Sequence, residues 1–521
     1  MPMLLSWGLL IFSITSYYAN MDECKYSILF SSDSVGLPCM YRDIIEDGGL
    51  LKDWFFAAAP CVFPDILLYG LMKETIDPSI QAGGYMYAIL QVTAICGLSI
   101  YIFRKLVPEK LKKYSWLIPL LFSTLFIESY YFSHDMTMGF LLSSYQYHSG
   151  AYLNCLIGLS LFLSPLSSKI KYPVILFFSA IAVFSDILYI VMLVFPLTVA
   201  VIFDVKNKGL RTVILVALSV GVGMVLGHYL FSRVRNSGVV YFSEPHKMLA
   251  FDFILPSLKM FTDEMIDYIK IPGLRSFHVL LLFGSIIFCP IILIIKKNVL
   301  DSEMRFLIKF HVIFSVSVLS APILNGNYSG YDTIRYSIAP FYFVFILMAV
   351  FLGGLLENIV KSENLKKIIS IALPIVFIVM TLAKFSTKKL ESYFSYFPDR
   401  VNDIDSICTK YHLTRGLSEY WTARQTTVFS KNRIKVLAVY PITIMNDFCS
   451  NINWFYSSKF DFVVEDKLDG LSLRERFVIR DTIQTRTCRI LLVDDFIFKP
   501  GERFPFTPSK VKKESSNEKI Q

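Results

Sequence analysis

Charge is scarce in this sequence. Asp, Glu, Lys and Arg make up 18% of the 521 residues against 54% hydrophobic ones, and the mean hydropathy is +0.52. A soluble chain of this length divides into several cores and carries about a quarter charged residues, so soluble multidomain classes are set aside. There are no cysteine pairs at zinc spacing, no Walker loop and no dinucleotide fingerprint, which removes zinc modules, P-loop enzymes and Rossmann oxidoreductases. The nine cysteines are scattered. Cys61, Cys96, Cys155 and Cys289 lie in apolar runs and read as packing residues. Cys24 and Cys39 share one polar stretch and can pair if that side is oxidising.

What the chain does have is a series of apolar runs. Leu4–Tyr18 is about 15 residues long against the roughly 20 that span a bilayer. It lacks the basic start and small-residue cleavage site of a signal peptide, so it reads as a first membrane helix. Further spans read at Tyr85–Phe103, Ser115–Phe132, Ala151–Leu166, Thr212–Phe231, Phe277–Ile295, Phe306–Leu324, Ser337–Leu356 and Ile368–Phe385. Tyr172–Phe203 is too long for one span, and a lone acid at its centre is costly, so it divides into two at Ser185–Asp186. Phe55–Met72 is broken by Pro60, Pro64 and Asp65 and reads as an interfacial or re-entrant piece. The expectation is an α-helical polytopic membrane domain over residues 1–385 with about 11 spans.

The net charge of +9 is not spread evenly. Lys and Arg crowd the loops at Arg104–Lys113, Lys169, Lys206, Lys296 and Lys361, whereas the short opposite loops at 133–150, 185–186 and 325–336 hold one, Arg335. The basic excess therefore marks one membrane side rather than a nucleic-acid surface, and the positive-inside rule makes that side cytoplasmic. The outer set becomes loops 19–84, 133–150, 232–276 and 325–336 together with the C-terminal region. Beyond residue 385 hydropathy drops. Val401–Tyr411 reads as an amphipathic helix, and IKVLAVYPI, FDFVVE and CRILLVDDF read as short buried strands. This implies a small soluble outer α/β domain over 386–507 and a disordered tail over 508–521. The expected location is the inner (plasma) membrane of a bacterium.

The polar residues of the outer set are the site candidates. Asp33 can act as a general base, or hold a divalent cation (Mg or Mn) on a phosphate leaving group. Its alternative is a solvated loop acid or helix N-cap. Asp43, Glu46 and Asp47 read as a solvated helix face, and Asp53 and Trp54 close that helix as candidates to face a cavity. His134 and Asp135 are a second candidate pair, for metal or substrate, against a solvated loop. Tyr147 and His148 follow Tyr145 and Gln146, a cluster suited to sugar stacking or to an interfacial belt. Arg335 and Tyr336 stand at the mouth of a span, where Arg can clamp a lipid phosphate or merely snorkel. Arg233, Arg235, His246 and Lys247 are candidates for the same task.

The order Asp33, Gly48–Gly49, Asp53–Trp54, Pro60, Pro64, set in this topology, resembles the GT-C superfamily of polyprenyl-phosphate-sugar glycosyltransferases. The nearest group is that of the protein O-mannosyltransferases and lipid A aminoarabinose transferases. Asp33–Ser34 stands where that family has an acidic pair. The resemblance implies an undecaprenyl- or dolichyl-phosphate sugar donor, a leaving phosphate facing Arg335 or the Arg233–Lys247 loop, and a lipid, glycan or protein acceptor approaching Asp33. It also implies Asp135 as the acid of the second outer loop. Competing readings are an O-antigen polymerase or ligase, with 232–276 as its large outer loop, and a lipid-linked saccharide transporter. The chain shows no internal repeat of the kind many transporters carry.

Overall fold

The computed structural model describes residues 1–75, 79–128, 137–237, 240–243, 249–270, 274–296, 299–440, 445–446, 448–456 and 459–498. Among these, 8 helices are long and apolar enough to cross a membrane: Pro2–Ala19, Ile80–Leu106, Ser168–Ser185, Leu210–Asn236, Ser276–Ile295, Ser302–Leu324, Ala339–Ile359 and Glu363–Leu382. Three shorter apolar helices, Leu117–Glu128, Ser149–Leu163 and Ile190–Ile202, overlap the other expected spans. The chain is a polytopic membrane protein.

Local chemistry sets the helix ends. Ile80–Leu106 opens on Ser79, whose hydroxyl accepts from the Ala82 N–H at 3.2 Å. It closes on Arg104 and Lys105, which suit the negative end of a helix. The long run at 172–203 breaks at Asp186, whose Oδ1 accepts from the Leu188 N–H at 2.9 Å and starts the next turn.

The chain forms two compact units from interleaved segments. The first comprises Met1–Lys25, Cys61–Phe231 and His246–Phe394 and carries the membrane helices. Ion pairs join the basic loops of this unit. Lys113 and Lys366 both meet Glu357, at 2.9 and 3.3 Å, Lys208 meets Glu303 at 2.8 Å, and Lys309 meets Asp204 at 2.9 Å. Helix Leu210–Asn236 crosses Ser168–Ser185 at Gly223 and Gly227, where backbone approaches backbone; a Cβ on Gly223 would lie 2.6 Å from the Leu176 carbonyl.

The second unit comprises Tyr26–Pro60, Ser232–Pro245 and the chain from Ser395 onward. Its sheet has strands β1 (Arg415–Ser418), β2 (Lys435–Ala438), β3 (Phe460–Val464), β4 (Ile479–Gln484) and β5 (Arg489–Phe496), in the order β2-β1-β3-β5-β4. β1 pairs in parallel with β2 and β3, and β5 runs antiparallel to β3 and β4. Ile404, Ala423, Val436, Phe462 and Ile490 form its core. The segment near Trp54 is stitched into this unit. Phe55 N–H donates to Ser450 O at 2.9 Å, Ile452 N–H donates to Asp53 O at 2.8 Å, and Phe55–Phe56 pairs in parallel with Tyr241–Phe242.

Two expectations for this segment are corrected. Asp43 is not on a solvated face. It is 2% exposed and accepts from Trp54 Nε1 at 2.7 Å, Asn451 Nδ2 at 2.8 Å and Trp454 Nε1 at 3.0 Å, with Lys435 Nζ at 3.6 Å. These donors replace the hydration that burial removes. Cys39 is a free, buried thiol rather than half of a disulfide.

Asp43→Ala should therefore lower unfolding stability by about 3 kcal/mol, because two indole N–H groups and an amide lose their acceptor. A wild-type melting temperature in detergent would count against this role. Gly223→Leu should lower stability by about 1–3 kcal/mol through overpacking. Gly221→Leu is the control, since a Cβ there meets nothing within 4 Å, and it should leave the melting temperature unchanged.

Candidate functional site

In the helical unit, three short loops meet. Their residues come from the starts of helices Ser149–Leu163 and Ala339–Ile359 and from the break at Asp186. His148 has φ of +66°, a left-handed conformation uncommon for a side-chain-bearing residue, which turns its ring toward the break. Its Nδ1 lies 2.6 Å from Asp186 Oδ2. A carboxylate on Nδ1 fixes the tautomer and leaves Nε2 for other partners. The imidazole also packs on Tyr336, with ring centroids 4.8 Å apart. The Arg335 guanidinium lies over two rings, 5.6 Å from the Tyr147 centroid and 5.3 Å from that of Tyr336. Tyr147, His148, Arg335 and Tyr336 are thus brought together.

The Pro-broken segment adds an acid to this neighbourhood. Asp65 is 3% exposed and accepts from Tyr87 Oη at 2.8 Å and from the Gln146 N–H at 3.0 Å. Burial pushes its carboxyl above the usual range, and these two hydrogen bonds oppose the shift. Gly150 makes the approach possible, since a Cβ there would stand 3.0 Å from the Asp65 carboxyl carbon. The backbone around Pro64 is met from neighbouring helices. Ser185 O accepts from Cys61 N–H at 3.1 Å, Ser185 Oγ accepts from Phe63 N–H at 2.8 Å, and Asn154 Nδ2 donates to Phe63 O at 2.9 Å. Irregular backbone inside a membrane unit needs such partners.

Asp33 belongs to the second unit. Its carboxylate does not cap the following helix, Gly36–Tyr41, whose N-cap is Val35. Instead Oδ1 accepts from Tyr420 Oη at 2.6 Å. Tyr420 opens helix Tyr420–Phe429, and Arg424 one turn later donates to the Tyr420 oxygen at 3.1 Å and to Ser32 O at 3.0 Å. Burial pushes the Tyr420 phenol up, so it stays protonated as a donor to Asp33. Helix and loop are locked by Arg42, which donates to Thr427 O at 2.8 Å and Val428 O at 3.0 Å. Trp54 is buried with its indole N–H engaged by Asp43, and Asp53 ends the short turn Leu51–Asp53, half-buried.

Arg233 and Arg235 lie in the last turn of Leu210–Asn236. His134, Asp135, His246 and Lys247 lie outside the described residues. Among the described residues no group of three or more His, Cys, Asp or Glu is placed to hold a metal ion. Sequence reasoning did not single out Tyr420 and Arg424, and it took Asp65 and Asp186 as breaks rather than site members. For Tyr420 and Arg424 the available signal was their spacing of four on one helix face.

No protein-family model and no curated protein sequence matches this chain. Among solved structures, it is similar to the crystal structure of ArnT from Cupriavidus metallidurans bound to undecaprenyl phosphate. The match covers 96% of this chain and 98% of that one, with a TM-score of 0.50 and 10% sequence identity. The architecture of this chain is therefore that of the ArnT crystal structure.

Proposed function

We propose that this chain is a membrane glycosyltransferase. It moves a sugar from a polyprenyl-phosphate donor to a lipid, glycan or protein acceptor on the periplasmic side of a bacterial inner membrane. The observation that carries this reading is the grouping of Arg335, Tyr147, His148 and Tyr336 in a chain with this fold. A departing lipid phosphate develops negative charge, which a guanidinium and an oriented imidazole compensate. Tyrosine faces suit a sugar ring. Undecaprenyl phosphate, the ligand in the ArnT crystal structure, has the chemistry this grouping would take.

Asp33 is the proposed base. It takes the acceptor hydroxyl proton as that oxygen bonds to the anomeric carbon, while the bond from that carbon to the phosphate oxygen breaks and polyprenyl phosphate leaves. Tyr420 holds the carboxylate for this task. His134 and Asp135 are the proposed holders of a divalent ion (Mg or Mn).

The test is transfer from radiolabelled polyprenyl-phosphate sugars in membranes of matched expression. Asp33→Asn should lower kcat by about 10²–10⁴-fold with the donor KM nearly unchanged. Normal turnover would remove Asp33 from the chemistry. Arg335→Gln should raise the donor KM about tenfold, equivalent to the loss of one charge-assisted contact. An unchanged KM would remove Arg335 from phosphate binding. If a metal takes part, EDTA should stop transfer and Mg or Mn should restore it; transfer indifferent to EDTA would discard the metal.

A further inference from the structure

Helix Ile80–Leu106 carries a stripe unlike the rest of its surface. Gly97, Ile100, Tyr101, Arg104 and Lys105 recur at the i, i+3, i+4, i+7, i+8 spacing of one helix face. They line a groove of about 510 Å³. Its character changes along the helix. The Gly97 end is open, with nothing within 4 Å of where a Cβ would stand, and Ile100 and the Tyr101 ring continue an apolar wall. The other end is cationic. Lys105 Nζ rides 5.6 Å above the Tyr101 ring, Arg104 is exposed, and Lys112 closes the groove from the short helix Glu109–Lys112.

Only part of the charge here is committed to ion pairs. Lys112 pairs with Glu109 at 2.6 Å, and the neighbouring Lys113 pairs with Glu357 at 2.9 Å. Arg104 and Lys105 form no ion pair among the described residues, and they leave the groove cationic after Lys112 and Glu109 offset each other. The stripe from Gly97 to Lys105 is about 12 Å long, most of one leaflet's hydrocarbon depth. Apolar wall first, two cations last: this is the profile of a phospholipid seen from the side. A basic pocket at the end of a membrane helix is where an anionic headgroup gains most over a zwitterionic one.

We infer that this groove is a binding site for an anionic glycerophospholipid, its acyl chain along Gly97–Tyr101 and its phosphate at Arg104 and Lys105. The site lies at the basic-loop end of the helix and does not depend on the proposed transfer activity.

The test is lipid retention. The full chain, purified from phosphatidylglycerol-containing vesicles and washed with delipidating detergent, is analysed by native mass spectrometry. The wild type should retain phosphatidylglycerol, and phosphatidylcholine vesicles should give no retained lipid. Arg104→Gln/Lys105→Gln should cut retention by on the order of tenfold. Gly97→Phe, which fills open space without touching charge, should cut it as well. Lys169→Gln/Lys171→Gln removes the same charge from another basic loop and should leave retention unchanged. Equal loss in that control, or retention indifferent to both groove variants, overturns the site. Displacement of the lipid by inorganic phosphate would reassign the groove to a free anion and overturn the lipid reading.

Discussion

A carboxylate taken out of water needs donors or a cation in place of its hydration, or burial costs several kcal/mol per ion. That constraint decides much of how this chain folds. Asp43 is met by two indoles and an amide, Asp65 by a phenol and a backbone N–H, and Asp186 by an imidazole and a backbone N–H. Asp204 is met by Lys309 at 2.9 Å and Asn207 at 2.7 Å. Most of these partners lie far away in the sequence, so each acid specifies which distant segments must meet. A chain with so little charge uses what it has as connectors.

The two acids of the first polar stretch show how environment separates roles. Asp43 is enclosed and its oxygens are taken up by structural donors. Asp33 is half-buried beside a phenol that Arg424 in turn orients. Enclosure of the first gives rigidity to the segment that presents the second. The same division appears in the helical unit, where Asp65 and Ser185 hold irregular backbone and the Arg335 and His148 side chains lie among aromatic faces.

Spans were legible because hydropathy over about 20 residues is a strong signal in a bilayer. The break at Ser185–Asp186 followed from the cost of a lone acid, and the loops that carry Lys and Arg prove to be joined by ion pairs. Strands β2, β3 and β5 of the C-terminal sheet were visible as apolar runs. β1 reads RGLS and the edge strand β4 reads IRDTIQ, and neither has a pattern that distinguishes it from a loop. The burial of Asp43 was invisible for a different reason. YRDIIED looks like a polar helix face, and the partners that enclose Asp43 lie 408 and 411 residues away. Arg335, His148 and the tyrosines were legible because polar residues are conspicuous in short loops between apolar runs; Tyr420 opens a short, mostly buried helix of mixed composition and was not.

The second unit is drawn from three stretches of chain separated by membrane helices. Its first stretch leaves the ribosome long before its last, since Asp33 and Tyr420 are 387 residues apart. At synthesis rates of about 5–20 residues per second, the loop waits roughly 20–80 s for the sheet that will hold it. During that interval Asp43, Trp54 and Arg42 have none of their partners from residues 427–454. The last helix must be inserted before the first loop can be ordered, so completion of the membrane topology becomes a checkpoint on assembly of this unit, and a chain halted before residue 420 leaves its amino-terminal loop a ready substrate for proteolysis.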